Sequence, residues 1–189
     1  MKHTIRLFVL CLLGFVFSLT CNAKEISGIT VPESLTLDTV AFKLQGAGIR
    51  DKFFMDLYLA SLYGTKAYSD TPTLVSADEP MVLNLHILSS LITSEKMEEA
   101  TKEGFINATN GNTTPLQAHI DTFIQTFKEP IAINDRYEFF YLPSKGIRIS
   151  KNGIYKTTLE GLEFKKALFG IWLGEKPAQE SLKKELMGK

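Results

Sequence analysis

An α+β fold, an antiparallel sheet with helices packed on one side, follows from three observations in the sequence. Apolar residues alternate with period two in several short runs, and they recur at helical spacing in segments between and after those runs. An Asn152-Gly153 pair also separates two alternating runs, the strongest short signal for an antiparallel hairpin. Strands first, helices between, then strands and helices again is not the regular strand-helix repeat of a parallel sheet.

Each element has its own justification. From Ile26 to Leu44 the alternation is loose, with Leu35 and Leu37 followed by Val40, Phe42 and Leu44, which predicts one or two strands closing at Gly46 and Gly48. Lys52 to Tyr63, aromatic-rich and bounded by glycine, reads as the next strand. Met81, Leu83, Leu85 and Ile87 then share one face, with Asn84 and His86 on the other. A helix is expected from Thr93 or Ser94, with Glu95 in its first turn and Met97, Ala100, Gly104, Phe105 and Ala108 in line, until Asn110 and Gly111 stop it. A second has Thr114 as N-cap, Pro115 at its first position and a stripe of Leu116, Ile120, Phe123, Ile124 and Phe127. After Pro130 strands return as Tyr137 to Leu142, Ile147 to Ser150 and Ile154 to Leu159, with turns at Pro143 to Gly146 and at Asn152-Gly153. Phe164, Ala167, Leu168, Ile171 and Trp172 make a third helical face ended by Gly174. Pro177 opens a last amphipathic helix with Leu182 and Leu186.

The first residues carry an export signal. Lys2 and Arg6 precede an apolar run from Leu7 to Leu19, shorter than the roughly 20 residues a spanning helix needs. Cys21 and Ala23 place small side chains at positions −3 and −1 of a cut after Ala23, so residues 1–23 read as a signal peptide and 24–189 as a single domain. Lipid attachment at Cys21 is the rival, but Leu19 stands one position late for the usual leucine, small, small, cysteine order. The mature chain is expected to be periplasmic or secreted, with no segment that spans a bilayer. Cys11 and Cys21 both lie in the leader, so no disulfide stabilises the domain. Of 21 basic residues, losing Lys2 and Arg6 leaves 19 against 21 acidic ones. No basic excess points to nucleic acid as a partner.

Few constellations carry chemistry. His86 and His119 lie on different elements with no cysteine or carboxylate pair at ligand spacing, which argues against a metal site. No Gly-x-Ser-x-Gly, phosphate-binding loop or dinucleotide fingerprint is present, so no cofactor is expected. Trp172 with Phe164 and Phe169 is read as core or as the lining of a ligand cavity. Arg50 stands out at the mouth of an aromatic strand, on the parity of Tyr58 if pairing is regular. Three outcomes are open for it: snorkelling, pairing with Asp51 or Asp56, or offering its planar fork to a carboxylate or enolate.

The stretch GAGIRDKFFMDLYLASLYG resembles the N-terminal signature of the chalcone isomerase-like superfamily: glycine, any residue, arginine, then Lys-Phe and an aromatic strand ending in tyrosine. Ile92-Thr93-Ser94-Glu95-Lys96 is similar to the family's helix start. The tail GLEFKKALFGIWLGEKPAQESLKKELMG, with its Trp-Leu-Gly-x-x-Pro run, resembles the bacterial exported branch. The resemblance covers nearly all of Glu25 to Gly188 and implies an open-faced β-sandwich, a large antiparallel sheet with helices on one face and a pocket between them. It implies that Arg50 matches the arginine that stabilises the substrate oxyanion in catalytic members. Tyr58 stands where those carry a strand threonine, Thr93 where they carry a tyrosine, and Ala100 where they carry an asparagine. Lost polar groups of that kind each supply on the order of 2 to 4 kcal/mol at a preorganised site. Non-catalytic relatives that bind fatty acids keep the arginine and put tyrosine on the strand. The resemblance therefore implies a small apolar carboxylate held by Arg50 and Tyr58, beside Thr93, Ala100 and Trp172, with Phe53, Phe54 and Phe105 lining an acyl slot. Tyr63 has the opposite strand parity. An intramolecular lyase acting on an enone, and a structural or partner-binding protein with a filled pocket, are the other two readings. No particular protein partner is indicated.

Overall fold

The computed structural model describes residues 23–189. The expected signal peptide therefore lies outside the described residues except for Ala23. The chain opens with a two-stranded hairpin, β1 (Ala23–Ile26) and β2 (Ile29–Pro32). A seven-stranded sheet follows: β3 (Ser34–Leu37), β4 (Val40–Lys52), β5 (Met55–Gly64), β6 (Met81–Ile87), β7 (Arg136–Leu142), β8 (Gly146–Lys151) and β9 (Ile154–Leu159). Every pairing is antiparallel and neighbours in sequence are neighbours in the sheet. Such a meander needs only short connections, which hairpins and two helical excursions supply. The helices are α1 (Thr71–Ser76), α2 (Ser94–Ala108), α3 (Gln117–Gln125), α4 (Leu162–Leu173) and α5 (Glu180–Leu186).

The period-two pattern sorts the two faces of the sheet. Tyr58, Ala60 and Leu62 of β5, Met81, Leu83, Leu85 and Ile87 of β6, and Tyr137, Phe139 and Tyr141 of β7 belong to the main core under the helices. Facing them are Phe105 of α2, Phe123 of α3 and Phe164, Leu168 and Trp172 of α4. Phe105 stacks on Phe164 at 5.6 Å between centroids and meets Phe123 edge-on at 5.9 Å. Burying each such side chain is worth roughly 1.5–3 kcal/mol, so this interior dominates folding. The opposite face has a smaller core, Leu59, Tyr63, Val82 and Phe140, closed by Phe42 and by Val31 of the first hairpin. Tyr63 ties that hairpin down by donating its hydroxyl to the Pro32 carbonyl at 3.0 Å. The expectation for β6 and for the parity of Tyr63 is met.

Several boundaries differ from the sequence expectation. β4 does not close at Gly46 and Gly48 but runs through both to Lys52. Those glycines mark a close approach: a Cβ on Gly46 would lie 2.7 Å from the Gly188 nitrogen and from the Leu186 carbonyl carbon. The C-terminal segment thus packs directly on the β4 backbone. Strand β5 starts at Met55 rather than Lys52 because Phe53 (φ 52°) and Phe54 (φ 65°) form the hairpin turn. Helix α1 was not expected, since six residues are too few for a periodic stripe; its cap is legible nonetheless, with Asp70 Oδ1 accepting from the Thr73 amide at 2.8 Å and Pro72 in the first turn. Thr114 and Pro115 open a single 3-10 turn (Thr114–Leu116) ahead of α3 rather than α3 itself. Pro177 precedes α5 by three residues, because the Ala178 amide turns back to the Ile171 carbonyl at 2.8 Å. The Asn152-Gly153 turn (φ 53° and 77°), the Thr93 cap of α2 and the Gly174 end of α4 match the sequence.

Candidate functional site

Pairing of β4 with β5 shifts register between Leu44 and Gly46 and again between Arg50 and Asp51, and the in-register stretch between these shifts places Arg50 opposite Tyr58. Tyr58 is 7% exposed, and its hydroxyl oxygen accepts a hydrogen bond of 2.9 Å from Trp172 Nε1 on α4. Trp172 is held in turn against Phe139 of the sheet, 6.0 Å between centroids. Burial pushes the Tyr58 phenol above its ordinary value, opposed by the Trp172 hydrogen bond and by the charge of Arg50. The phenol therefore keeps its proton at neutral pH, and among the described residues that proton has no acceptor.

Arg50 is half-buried and makes no ion pair among the described residues, so neither Asp51 nor Asp56 neutralises it. Its Nη1 donates instead to the Asp51 backbone carbonyl at 2.7 Å and to Gln179 Oε1 at 2.8 Å. Gln179 Oε1 also accepts from the Asp51 amide at 3.1 Å, while its Nε2 donates to Asp51 Oδ1 at 2.6 Å and to Ser181 Oγ at 2.6 Å. Gln179 was not singled out in the sequence; an exposed-looking glutamine ahead of a short helix carries no signal of a contact with residue 50.

The remaining sequence candidates are dispersed. Thr93 uses its hydroxyl oxygen to cap α2, accepting from the Lys96 amide at 3.3 Å. Ala100 is exposed on α2, whose buried stripe is Met97, Thr101 and Phe105, so the structure does not bring it to Arg50. Phe53 and Phe54 are 78% and 104% exposed at the hairpin tip and line no interior slot, whereas Phe105 is fully buried in the main core. His86 meets Asn134 Oδ1 at 3.2 Å and His119 lies against the Phe164 ring, apart from each other. No cluster of three or more metal-ligating side chains occurs among the described residues, and no helix among them is long and apolar enough to cross a membrane.

Two cavities lie away from these groups. A void among Gln45, Leu62, Tyr63, Tyr68, Leu74 and Met81 has no room for a water molecule. An open cleft of about 520 Å³ runs between β1, the Leu44 to Ile49 part of β4 and the chain end at Glu185, Gly188 and Lys189. Neither is lined by Arg50, Tyr58 or Trp172. One more buried charge was not singled out in the sequence. Lys165 is 0% exposed and its Nζ donates to the carbonyls of Leu74 (3.1 Å), Val75 (2.8 Å) and Ala77 (2.8 Å), which caps the end of α1 from α4. Burial pulls its ammonium down to about 8, against the nearby Asp78 carboxylate.

No curated protein matches the chain. Among solved structures, the crystal structure of a fatty-acid binding protein from Arabidopsis thaliana is similar in fold, with a TM-score of 0.67 at 14% identity, over 88% of this chain and 96% of that one. A family model described as chalcone isomerase-like matches residues 23–188, essentially the whole described chain, and the protein therefore belongs to the chalcone isomerase-like family.

Proposed function

We propose that this protein binds a fatty acid or another small apolar carboxylate without transforming it, anchored by Arg50 and Tyr58. One observation carries the reading: a buried phenol whose proton has no acceptor among the described residues stands opposite an arginine with no carboxylate partner there. A guanidinium and a neutral phenol together offer several donors and no acceptor-only group, which suits a carboxylate. Burial makes leaving such donors unmatched costly, about 1–3 kcal/mol each. The fold shared with a fatty-acid binding protein supports the same reading. An isomerase is less well served, since Thr93 is committed to capping α2 and Ala100 is exposed.

Native mass spectrometry of the purified protein with palmitate tests this. Wild type should retain the fatty acid and Arg50→Ala should lose it; equal loading of the two would end the proposal. A second reading, a structural or partner-binding protein with a filled pocket, is favoured by Trp172 lying in the main core against Phe139, and it expects no retained lipid in either form. On either reading we place the working unit at residues 24–189, exported to the periplasm or beyond, after removal of the apolar leader.

A further inference from the structure

We infer that Gln179, just ahead of α5, is the positioning residue of this site: a neutral clamp that fixes the Arg50 guanidinium without neutralising it. The inference rests on the carboxylate-binding reading and adds to it a residue 129 positions away in sequence. Arg50 Nη1 gives its two hydrogens to two uncharged oxygens, the Asp51 carbonyl and Gln179 Oε1. That leaves Nη2 and Nε of the fork with no partner among the described residues, and the full positive charge unspent by any carboxylate.

The Gln179 amide is itself held on all sides. Its oxygen faces two donors, Arg50 Nη1 and the Asp51 amide, and its nitrogen faces two acceptors, Asp51 Oδ1 and Ser181 Oγ. Flipping the amide would set like against like at Arg50 Nη1, at the Asp51 amide and at Asp51 Oδ1, while the Ser181 hydroxyl can serve either orientation, so three contacts select the one observed. Asp51 carries a carboxylate at this corner, and Gln179 Nε2 donates to its Oδ1 at 2.6 Å, while neither it nor Glu185 forms an ion pair with Arg50 among the described residues. The segment carrying Gln179 is fixed to the sheet independently, because Glu185 Oε2 accepts from the Ile49 amide at 3.2 Å and α5 lies against the bare backbone of Gly46 and Gly48. A long, rotamer-rich arginine loses much freedom when it binds an anion, and prior fixation lowers that cost.

The experiment compares palmitate with its neutral analogue hexadecanol by isothermal titration, in wild type, Arg50→Ala, Gln179→Ala and Gln179→Glu. Wild type should prefer palmitate, and Arg50→Ala should abolish the preference. Gln179→Ala should weaken palmitate about tenfold and leave hexadecanol unchanged, because only the carboxylate end senses where the guanidinium points. Gln179→Glu keeps an oxygen for Arg50 but adds a charge, and should weaken palmitate at least as much. An unchanged palmitate preference in Gln179→Ala, or an equal drop for both ligands, overturns the clamp while the binding reading stands. Wild-type affinity for palmitate in Gln179→Glu refutes the need for a neutral clamp. Absence of any palmitate preference in wild type removes the binding reading, and the clamp with it.

Discussion

Gly46→Ala tests whether the C-terminal segment really rides on the β4 backbone. The added Cβ would lie 2.7 Å from both the Gly188 nitrogen and the Leu186 carbonyl carbon, and closer still to the Glu185 carbonyl oxygen. These are backbone atoms, so no rotamer change relieves the overlap, and the segment must retreat by about 1 Å to reach ordinary contact distance. Two responses compete. A strained shift costs about 1–3 kcal/mol, as overpacking does elsewhere. Release of α5 exposes Leu182 and Leu186, now fully buried, at roughly 1.5–3 kcal/mol each. The shift is the smaller cost, so Gly46→Ala should lose about 1–3 kcal/mol in urea denaturation. Gly153→Ala is the control, with φ +77° and nothing within 4 Å of the new Cβ; it carries only the left-handed backbone cost, about 1 kcal/mol. Hydrogen exchange separates the two mechanisms. The Ile49 and Asp51 amides are covered by Glu185 and Gln179 from the C-terminal segment and should exchange faster in Gly46→Ala only. Loss of less than about 0.5 kcal/mol, with protection at both amides intact, would refute the packing argument.

Two further substitutions probe the interior. Trp172→Phe removes the only donor to the Tyr58 oxygen recorded among the described residues; in a double-mutant cycle with Tyr58→Phe the coupling should be about 0.5–1.5 kcal/mol, and strict additivity would contradict the hydrogen bond. Lys165→Met leaves three carbonyls without their donor and should cost about 2–4 kcal/mol. Its pH dependence has a definite sign. The folded-state value of about 8 lies below the ordinary 10.5, so between these the unfolded chain holds the extra proton and stability from this group rises with pH. Wild type should therefore gain on Lys165→Met from pH 8 towards pH 10, and a constant gap would show that Lys165 does not titrate there. Above pH 10 the raised phenols of Tyr58, Tyr137 and Tyr141 work the other way, since the unfolded chain loses those protons first.

Much of the architecture was legible because it depends on neighbours a few residues apart. Period two in Met81 to Ile87 sets which face of β6 meets the helices, Thr93 caps α2 through the third amide on, and Asn152-Gly153 closes a hairpin from two backbone angles. Arg50 and Tyr58 do stand opposite each other, but the pairing of β4 and β5 is not regular as the sequence reading assumed, since its register shifts at Leu44/Gly46 and at Arg50/Asp51. Trp172 was legible as an aromatic on a buried helical stripe, but its partner was not.

Other features were settled by contacts between distant segments, which no local pattern encodes. Gly46 and Gly48 look like strand ends in sequence, yet they are mid-strand, where the C-terminal backbone passes over Gly46 and the Glu185 side chain over Gly48. Lys165 was not singled out in the sequence, and α4 delivers it to the open end of α1. Phe53 and Phe54 were expected to line an acyl slot and fall at a hairpin tip, since the chain reverses between Lys52 and Met55. The sequence by itself determined the sheet, its two faces, the family resemblance and the arginine that stands at the mouth of the aromatic strand. Only the tertiary structure decided what that arginine touches. Its neutral partner Gln179 comes from the far end of the chain, and packing of α5 on β4, not any periodicity, brings the two together.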